Sequence, residues 1–127
     1  MQSANLYSQY KTQSIETLTN GEVIVKLFEE ASKQISTAIF LTNREEHVKA
    51  YNCIAKTQKI ISVLTLSLDM SYGVSLSLSD LYDYLYRELG AAIVSKDINL
   101  LKTLLNMVDE LKITFKQAEK MARAGKF

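Results

Sequence analysis

The sequence predicts an all-α protein: an antiparallel up-down four-helix bundle preceded by a mobile N-terminal arm. The 127-residue chain contains no proline and only four glycines, so long segments run without a helix-breaking residue. Apolar residues recur at the three- and four-residue spacing of a helix in four successive segments. The connections between these segments are short, and short connections make successive helices antiparallel neighbours.

The length and composition of the chain limit the kinds of protein it can be. A length of 127 residues suits one domain with a single hydrophobic core. Fifteen basic and fourteen acidic residues leave a formal charge of +1, which argues against a dedicated nucleic-acid binder. The single cysteine, Cys53, excludes an internal disulfide, and no apolar run is long enough to cross a membrane. With no secretory-type leader, these features predict a soluble cytoplasmic protein without membrane insertion.

The N-terminal part, residues 1–18, is predicted to be a mobile arm. It is polar, contains a few large apolar residues and shows no sustained period. Terminal segments of this kind are poorly ordered unless another element holds them. We therefore divide the chain into an arm, residues 1–18, and a four-helix bundle, residues 19–127.

The first predicted helix begins after Thr19 or Asn20, since either side chain can act as an N-cap. Its apolar residues cover roughly 160° of the helix surface, more than the ~100° stripe of a surface helix. These residues are Val23, Ile24, Leu27, Phe28, Ala31, Ile35, Ala38, Ile39 and Leu41. The width has two interpretations: the helix is well buried, or part of this face contacts another chain.

The second predicted helix runs from about Glu45 to Leu68 and has apolar residues on two sides. Its core stripe consists of Ala50, Cys53, Ile54, Ile60, Ile61, Leu64 and Leu68. Val63 and Leu66 lie well off that stripe. Isolated exposed apolar residues are normal on a soluble protein. The alternative is that Val63 and Leu66 belong to a second apolar surface that contacts a partner.

The third and fourth predicted helices are set apart by breaks in the pattern. In "DMSYGVSLS", Gly73 can take a positive φ, and the serines compete with the helix for backbone hydrogen bonds. We therefore expect the third helix to start near Ser77–Ser79 and to end near Ser95. Asp97 is a good N-cap, and the fourth helix is expected to run from there to about Ala122.

The stretch "LYDYLYREL" alternates tyrosines as a strand does, but its leucines recur every four residues as in a helix. On a helix, Tyr82 and Tyr86 fall at the edge of the core stripe, with hydroxyl groups that reach water or a backbone acceptor. Tyr84 lies roughly 160° from Tyr86 and is a candidate for contact with a partner. Asp83 and Arg87, four residues apart, can form a surface ion pair.

The residue types that carry out catalysis or bind metals are scarce in this sequence. His47 is the only histidine, and it lies at a predicted helix start, where a solvated side chain is the usual finding. Metal-binding bundles need two Glu-x-x-His pairs, which one histidine cannot supply. Cys53 falls on a core stripe and is expected to be inert. We predict no catalytic, cofactor-binding or metal-binding residue.

The sequence allows two alternative functions for the predicted bundle. A histidine phosphotransfer or signalling bundle would use His47 as the phosphate acceptor, although "HVKAY" lacks the glycine that such proteins place closely after the histidine. A helical dimerisation module would instead pair the off-core residues of one copy with those of a second copy and form a homodimer.

Five stretches together resemble the FliS family of flagellar export chaperones, in their order and over nearly the whole chain. They are "LYSQY" in the arm, "TNGEVIVKLFEEA" at the first helix, "KIISVLTLSLDM" at the end of the second, "LYDYLYREL" in the third and "LKITF" in the fourth. There are departures from the family pattern. Asn20-Gly21 stands where the family has Pro-Glu, Phe28 and Glu29 replace tyrosine and aspartate, and Phe115 replaces a tryptophan.

The resemblance implies a bundle that binds the disordered C-terminal segment of flagellin, keeps flagellin monomeric in the cytoplasm and escorts it to the export apparatus without nucleotide. Amphipathic helices of that segment would lie in apolar grooves. The candidate partner-binding residues are Tyr7, Tyr10, Phe28, Val63, Leu66 and Tyr84. We further predict that the arm folds over part of the groove when it is empty and moves, or clamps, when flagellin binds.

Overall fold

The computed structural model describes residues 18–124, which form four helices joined by short connections. The helices are α1 (Leu18–Asn43), α2 (His47–Leu66), α3 (Gly73–Ser95) and α4 (Ile98–Arg123). No strand occurs in that part of the chain. The prediction of an all-α protein with four helices is confirmed. Apart from Leu18, the predicted arm lies outside the described residues.

The helices form a bundle in which α1 and α3 each pack mainly on α2 and α4. Ion pairs between α1 and α4 define their direction: Glu22 pairs with Arg123 and Glu29 with Lys116, each at 3.5 Å. The residue number rises along α1 as it falls along α4, so the two helices run antiparallel.

The two shortest connections turn through residues in the left-handed conformation. Glu45 (φ 62°) lies between α1 and α2, and Lys96 (φ 58°) is the C-cap of α3. Asp97 then caps α4, because its Oδ1 atom accepts a hydrogen bond from the backbone N–H of Leu100 at 3.0 Å. That bond satisfies one of the free amides of the first turn. The predicted N-cap and start of α4 are confirmed.

The start of α3 differs from the prediction, which placed it near Ser77–Ser79. The helix begins at Gly73, several residues earlier, and Gly73 does not take a positive φ. The serines support this start, since Ser75 Oγ donates to the carbonyl of Asp69 at 2.7 Å. Asp69 Oδ1 accepts hydrogen bonds from the hydroxyl and the N–H of Ser71, which hold the pKa of Asp69 below its ordinary value. A network centred on Asp69 therefore fixes the turn before α3.

The core is one cluster to which all four helices contribute. At its centre, Phe28 of α1 packs against Tyr82 of α3 and Phe115 of α4, with ring centroids 6.3 and 5.2 Å away. The other large side chains that are fully buried are Ile35, Ile54, Ile61, Leu64, Leu85, Leu89, Leu101, Leu104 and Val108. The core stripe predicted for the second helix supplies Ile54, Ile61 and Leu64.

The buried face of α1 is rotated from the predicted one. Val23 is exposed, whereas Val25, which the apolar pattern did not single out, is buried. The face is centred on Phe28 and Ile35, and Ile24 and Leu27 are only partly buried at its edges. The middle of the wide apolar sector of α1 therefore packs into the core, and its borders lie at the bundle surface.

Candidate functional site

Large apolar side chains are exposed where α2 ends and α3 begins. Val63 and Leu66 lie in the last turn of α2, Met70 in the connection and Leu76 in the first turn of α3. Leu66 is the extreme case, with 85% of its surface exposed. The apolar pattern of α2 correctly placed Val63 and Leu66 off the core. Exposed apolar residues grouped in this way are typical of a surface that contacts a partner.

Leu66 borders a groove of about 550 Å³ between α2 and α3. From α2 the groove is lined by Ile61, Ser62, Thr65 and Leu66, and from α3 by Ser79, Asp80, Tyr82, Asp83 and Tyr86. Ile61 and Tyr82 are buried and form its floor, whereas the two aspartates are exposed at its rim. The groove thus has an apolar floor and a polar edge, as peptide-binding grooves commonly do.

The packing of α2 on α3 fixes one end of this groove. Gln58 Nε2 donates a hydrogen bond to the backbone carbonyl of Tyr86 at 3.0 Å. A Cβ atom added to Gly90 would lie only 3.0 Å from the same Nε2 atom. Glycine in a helix interior costs about 1 kcal/mol relative to alanine, and here it lets Gln58 approach the backbone of α3. The groove lies between this contact and the α2–α3 connection.

The three tyrosines of α3 have three different environments. Tyr82 is 1% exposed and packs against Phe28, so the prediction that it lies at the core edge is wrong. Its burial raises the pKa of the Tyr82 hydroxyl well above its ordinary value. Tyr86 is half-exposed and forms part of the groove wall, which fits the predicted core edge. Tyr84 is 38% exposed and does not line the groove.

The groove has negative charge that its own residues do not neutralise. Asp80 and Asp83 lie on its α3 side, and no lysine or arginine of residues 18–124 lines the groove. Asp83 accepts a hydrogen bond from Arg87 Nε at 3.1 Å, which confirms the predicted surface ion pair. Within residues 18–124, Asp80 has no hydrogen-bond or ion-pair partner. One carboxylate at the rim therefore has no partner among the described residues.

The remaining candidate residues are distributed over the molecule. Phe28 has no exposed surface, so a role as a surface contact does not fit its place at the centre of the core. Its stacking on Phe115 explains why an aromatic residue stands there. Val63 is exposed beside the groove but does not line it. Tyr7 and Tyr10 lie outside the described residues.

His47 and Cys53 lie away from the groove. His47 is the first residue of α2 and is partly exposed, and Cys53 is a free thiol, partly buried against the core. In the described part of the chain, no three His, Cys, Asp or Glu side chains are grouped as metal ligands would be. None of the helices described combines the length and hydropathy that a membrane span requires.

A second cleft, about 510 Å³ in volume, lies between α1 and α4. Its charged lining residues are Glu22, Lys26, Glu29, Lys116, Glu119, Lys120 and Arg123. Glu119 is 4% exposed, and its Oε2 atom has no hydrogen-bond partner within residues 18–124, although Arg123 Nε forms an ion pair with it at 3.5 Å. Loss of hydration raises the pKa of Glu119 above its ordinary value, against the opposing effect of Arg123.

Asp80 and Glu119 were not among the residues that the sequence pattern singled out. Glu119 follows Phe115 by four residues, so the helical period of α4 already placed it beside the core. Asp80 carries no such signal, because its position at the rim depends on the register between α2 and α3.

A helical bundle with an exposed apolar groove belongs to the class of helical proteins that bind an amphipathic segment of a partner. The family described as Flagellar protein FliS matches residues 3–122. The chain is also 29% identical over 114 residues to the Flagellar secretion chaperone FliS of Bacillus subtilis (strain 168), which covers 90% of this chain and 86% of that protein. The chain therefore belongs to the FliS family of flagellar chaperones, as the five resembling stretches indicated.

Proposed function

We propose that the protein is a flagellar secretion chaperone that binds the disordered C-terminal segment of flagellin in the cytoplasm. Bound flagellin would be kept from polymerising before export and delivered to the export apparatus, with no nucleotide and no catalytic step. Membership of the FliS family supports this role. The name of the Bacillus subtilis relative, a flagellar secretion chaperone, agrees with it.

The observation that carries the proposal is the α2–α3 groove with Leu66 at its border. An amphipathic helix docks into such a groove through apolar residues that recur every three or four positions. Leu66 faces water in the free chain, and full burial of a leucine side chain contributes about 1.5–3 kcal/mol. The same contact would cover apolar client residues that otherwise cause aggregation.

The disorder of the client limits the net affinity of the complex. A disordered segment must become ordered as it binds, which costs about 2–5 kcal/mol of the gross interaction energy. A large contact area therefore gives only moderate affinity. Moderate affinity suits a chaperone, because the client must leave before it is exported.

The client is proposed to contact Tyr84 as well as Leu66. Tyr84 is exposed but lies outside the groove that Tyr86 lines. A segment that reaches both places must pass around α3. That requirement is met by a long disordered segment that forms more than one short helix, and it cannot be met by a single straight helix.

The arm, residues 1–18, is proposed to cover part of the groove when no client is bound, with Tyr7 and Tyr10 in the places of client side chains. Deletion of residues 1–12 tests this. Affinity for flagellin should rise if the arm competes with the client, and it should fall if the arm clamps the client. An unchanged affinity would show that the arm is an inert tail.

Size-exclusion chromatography of the protein mixed with monomeric flagellin tests the main proposal. We expect a stable complex with intact flagellin and none with flagellin that lacks its C-terminal segment. Leu66→Ser should weaken binding about ten-fold or more, as loss of a central apolar contact does. Val94→Ser is the matched control, since Val94 is similarly exposed but lies near the opposite end of α3.

Two results would contradict this account. Absence of a complex with intact flagellin would overturn the chaperone role. Equal effects of Leu66→Ser and Val94→Ser would remove the groove as the binding site. Light scattering of the free protein separately tests the homodimer, which would appear as twice the mass of the chain.

A further inference from the structure

We propose that the α2–α3 groove selects a helical segment that carries a lysine or an arginine beside its apolar face. This inference rests on the proposed function, because it specifies the chemistry of the client segment that the groove accepts. Its basis is the one-sided charge of the groove, which contrasts with the formal net charge of +1 for the whole chain.

Two carboxylates face the groove, and none of the described residues that line it is basic. Asp80 and Asp83 are three residues apart on α3, so they are separated by roughly 4.5 Å along the helix axis and can flank one bound side chain. Asp83 already pairs with Arg87, whereas Asp80 has no partner in the described chain. A cation on the client can therefore reach Asp80 without displacing an existing ion pair.

The end of α2 adds to the negative field. The groove runs beside the last turns of this helix, residues 62–66. The C-terminus of a helix carries the equivalent of about half a negative charge. Many helices offset this charge with a basic residue in the last turn, as α4 does with Lys120 and Arg123, but α2 has none there.

The arrangement of the walls indicates where the cation must lie. Leu66 and Tyr86 stand on opposite walls and can hold the apolar face of a helix between them. The α2 wall otherwise offers the hydroxyl groups of Ser62 and Thr65, whereas the carboxylates are on the α3 wall alone. We therefore expect the basic residue on the client flank over α3, three or four positions from an apolar anchor.

An exposed ion pair of this kind contributes more to recognition than to affinity. Pairs at a rim are screened by salt and stabilise a complex only slightly. They do raise the rate of association and disfavour partners of the wrong charge. The groove would accordingly reject acidic amphipathic segments that its apolar surface alone could accept.

Binding of monomeric flagellin to three forms of the full-length chain tests the inference: the wild type, Asp80→Asn and Glu110→Gln. Both substitutions remove one negative charge, but Glu110 is exposed on α4, outside the groove, and has no partner among residues 18–124. At about 50 mM salt, Asp80→Asn should raise Kd about two- to five-fold and slow association. Glu110→Gln should change neither, and at about 500 mM salt the difference should vanish.

The outcomes separate the inference from the function on which it rests. If wild-type protein does not bind flagellin, the proposed function is overturned. If it binds but Asp80→Asn behaves like Glu110→Gln, the function stands and the inference is overturned. Asp80→Lys should bind still more weakly and should be rescued by flagellin whose basic C-terminal residues are changed to glutamate. Absence of that rescue, with unchanged circular dichroism of the variant, would also contradict the inference.

Discussion

The helix pairs α1–α4 and α2–α3 differ in the polar contacts between their helices. Between α1 and α4, ion pairs cross the interface, and Ser32 Oγ donates to Asp109 Oδ1 at 2.6 Å. Between α2 and α3, the described cross-helix hydrogen bond is that of Gln58 to the Tyr86 carbonyl. The first interface is joined by polar groups of the two helices. The second leaves exposed apolar side chains and, among residues 18–124, the carboxylate of Asp80 without a partner.

The two clefts also differ in the signs of the charges that line them. Residues of both signs line the α1–α4 cleft, and two ion pairs cross it: Glu22 with Arg123 and Glu29 with Lys116. The charged groups described in the lining of the α2–α3 groove are carboxylates. Ion pairs that join two helices across a cleft of mixed charge contribute to the fold. A groove whose described charges are of one sign, beside an exposed leucine, offers contacts that a partner can satisfy. Stability and binding are therefore expected to depend on different sets of residues.

The largest expected effect is a loss of stability at the core contact between α1 and α4. Phe28→Ala removes the ring that joins Tyr82 to Phe115, and truncation of a buried phenylalanine should lower the free energy of unfolding by about 3–5 kcal/mol. Leu66→Ser, at an exposed site, should lower it by no more than about 0.5 kcal/mol. Urea unfolding of the two variants measures both values. Similar losses would mean that Leu66 belongs to the core.

A smaller effect is expected at Glu119. Its pKa is higher in the folded chain than the unfolded value of about 4.3. The stabilisation from the protonated carboxyl is therefore present at low pH and is lost as the pH rises through the folded pKa. Glu119→Gln keeps the shape without the buried charge and should raise the free energy of unfolding at pH 7 by up to about 1 kcal/mol.

Urea unfolding between about pH 4 and pH 7 checks this sign. The stability gained by Glu119→Gln over the wild type should increase with pH across this range. Glu110→Gln, at an exposed site, is the control and should follow the wild-type profile. A Glu119→Gln variant that is less stable than the wild type at pH 7 would show that the ion pair with Arg123 outweighs the loss of hydration.

The smallest expected effect is at Tyr84. Tyr84→Ala removes a ring that is already 38% exposed, so the free energy of unfolding should fall by less than about 1 kcal/mol. Affinity for flagellin should fall several-fold, since the proposed client contacts this ring. Calorimetry of binding beside thermal unfolding compares the two. A loss of stability with unchanged affinity would place Tyr84 with the structural residues.

Much of the fold could be predicted because its signals are local. The cap at Asp97 and the apolar periods of the last three helices depend on residues within a few positions of each other. The start of α3 could not be predicted in this way, because it depends on which group accepts the hydrogen bond of the Ser75 hydroxyl. Its partner, the carbonyl of Asp69, lies outside the helix, and sequence alone leaves open whether a serine opposes or supports a helix start.

The candidate site was predictable only in part, for the same reason. The off-core position of Leu66 follows from the period of one helix. The burial of Tyr82 depends on Phe28, and the place of Asp80 depends on the register of α3 against α2. Both depend on contacts between segments that are distant in sequence. The apolar period of a single helix does not predict such contacts. An apolar edge of the groove could thus be predicted from the sequence, whereas its acidic edge could not.

Flagellin is proposed to bind on the α2–α3 side of the bundle. Backbone amide resonances of isotope-labelled protein, followed during titration with the C-terminal segment of flagellin, test this most directly. We predict the largest shifts at residues 61–66 and 79–86, with little change along the α1–α4 cleft. Shifts concentrated in the α1–α4 cleft, with the α2–α3 groove unaffected, would contradict the account.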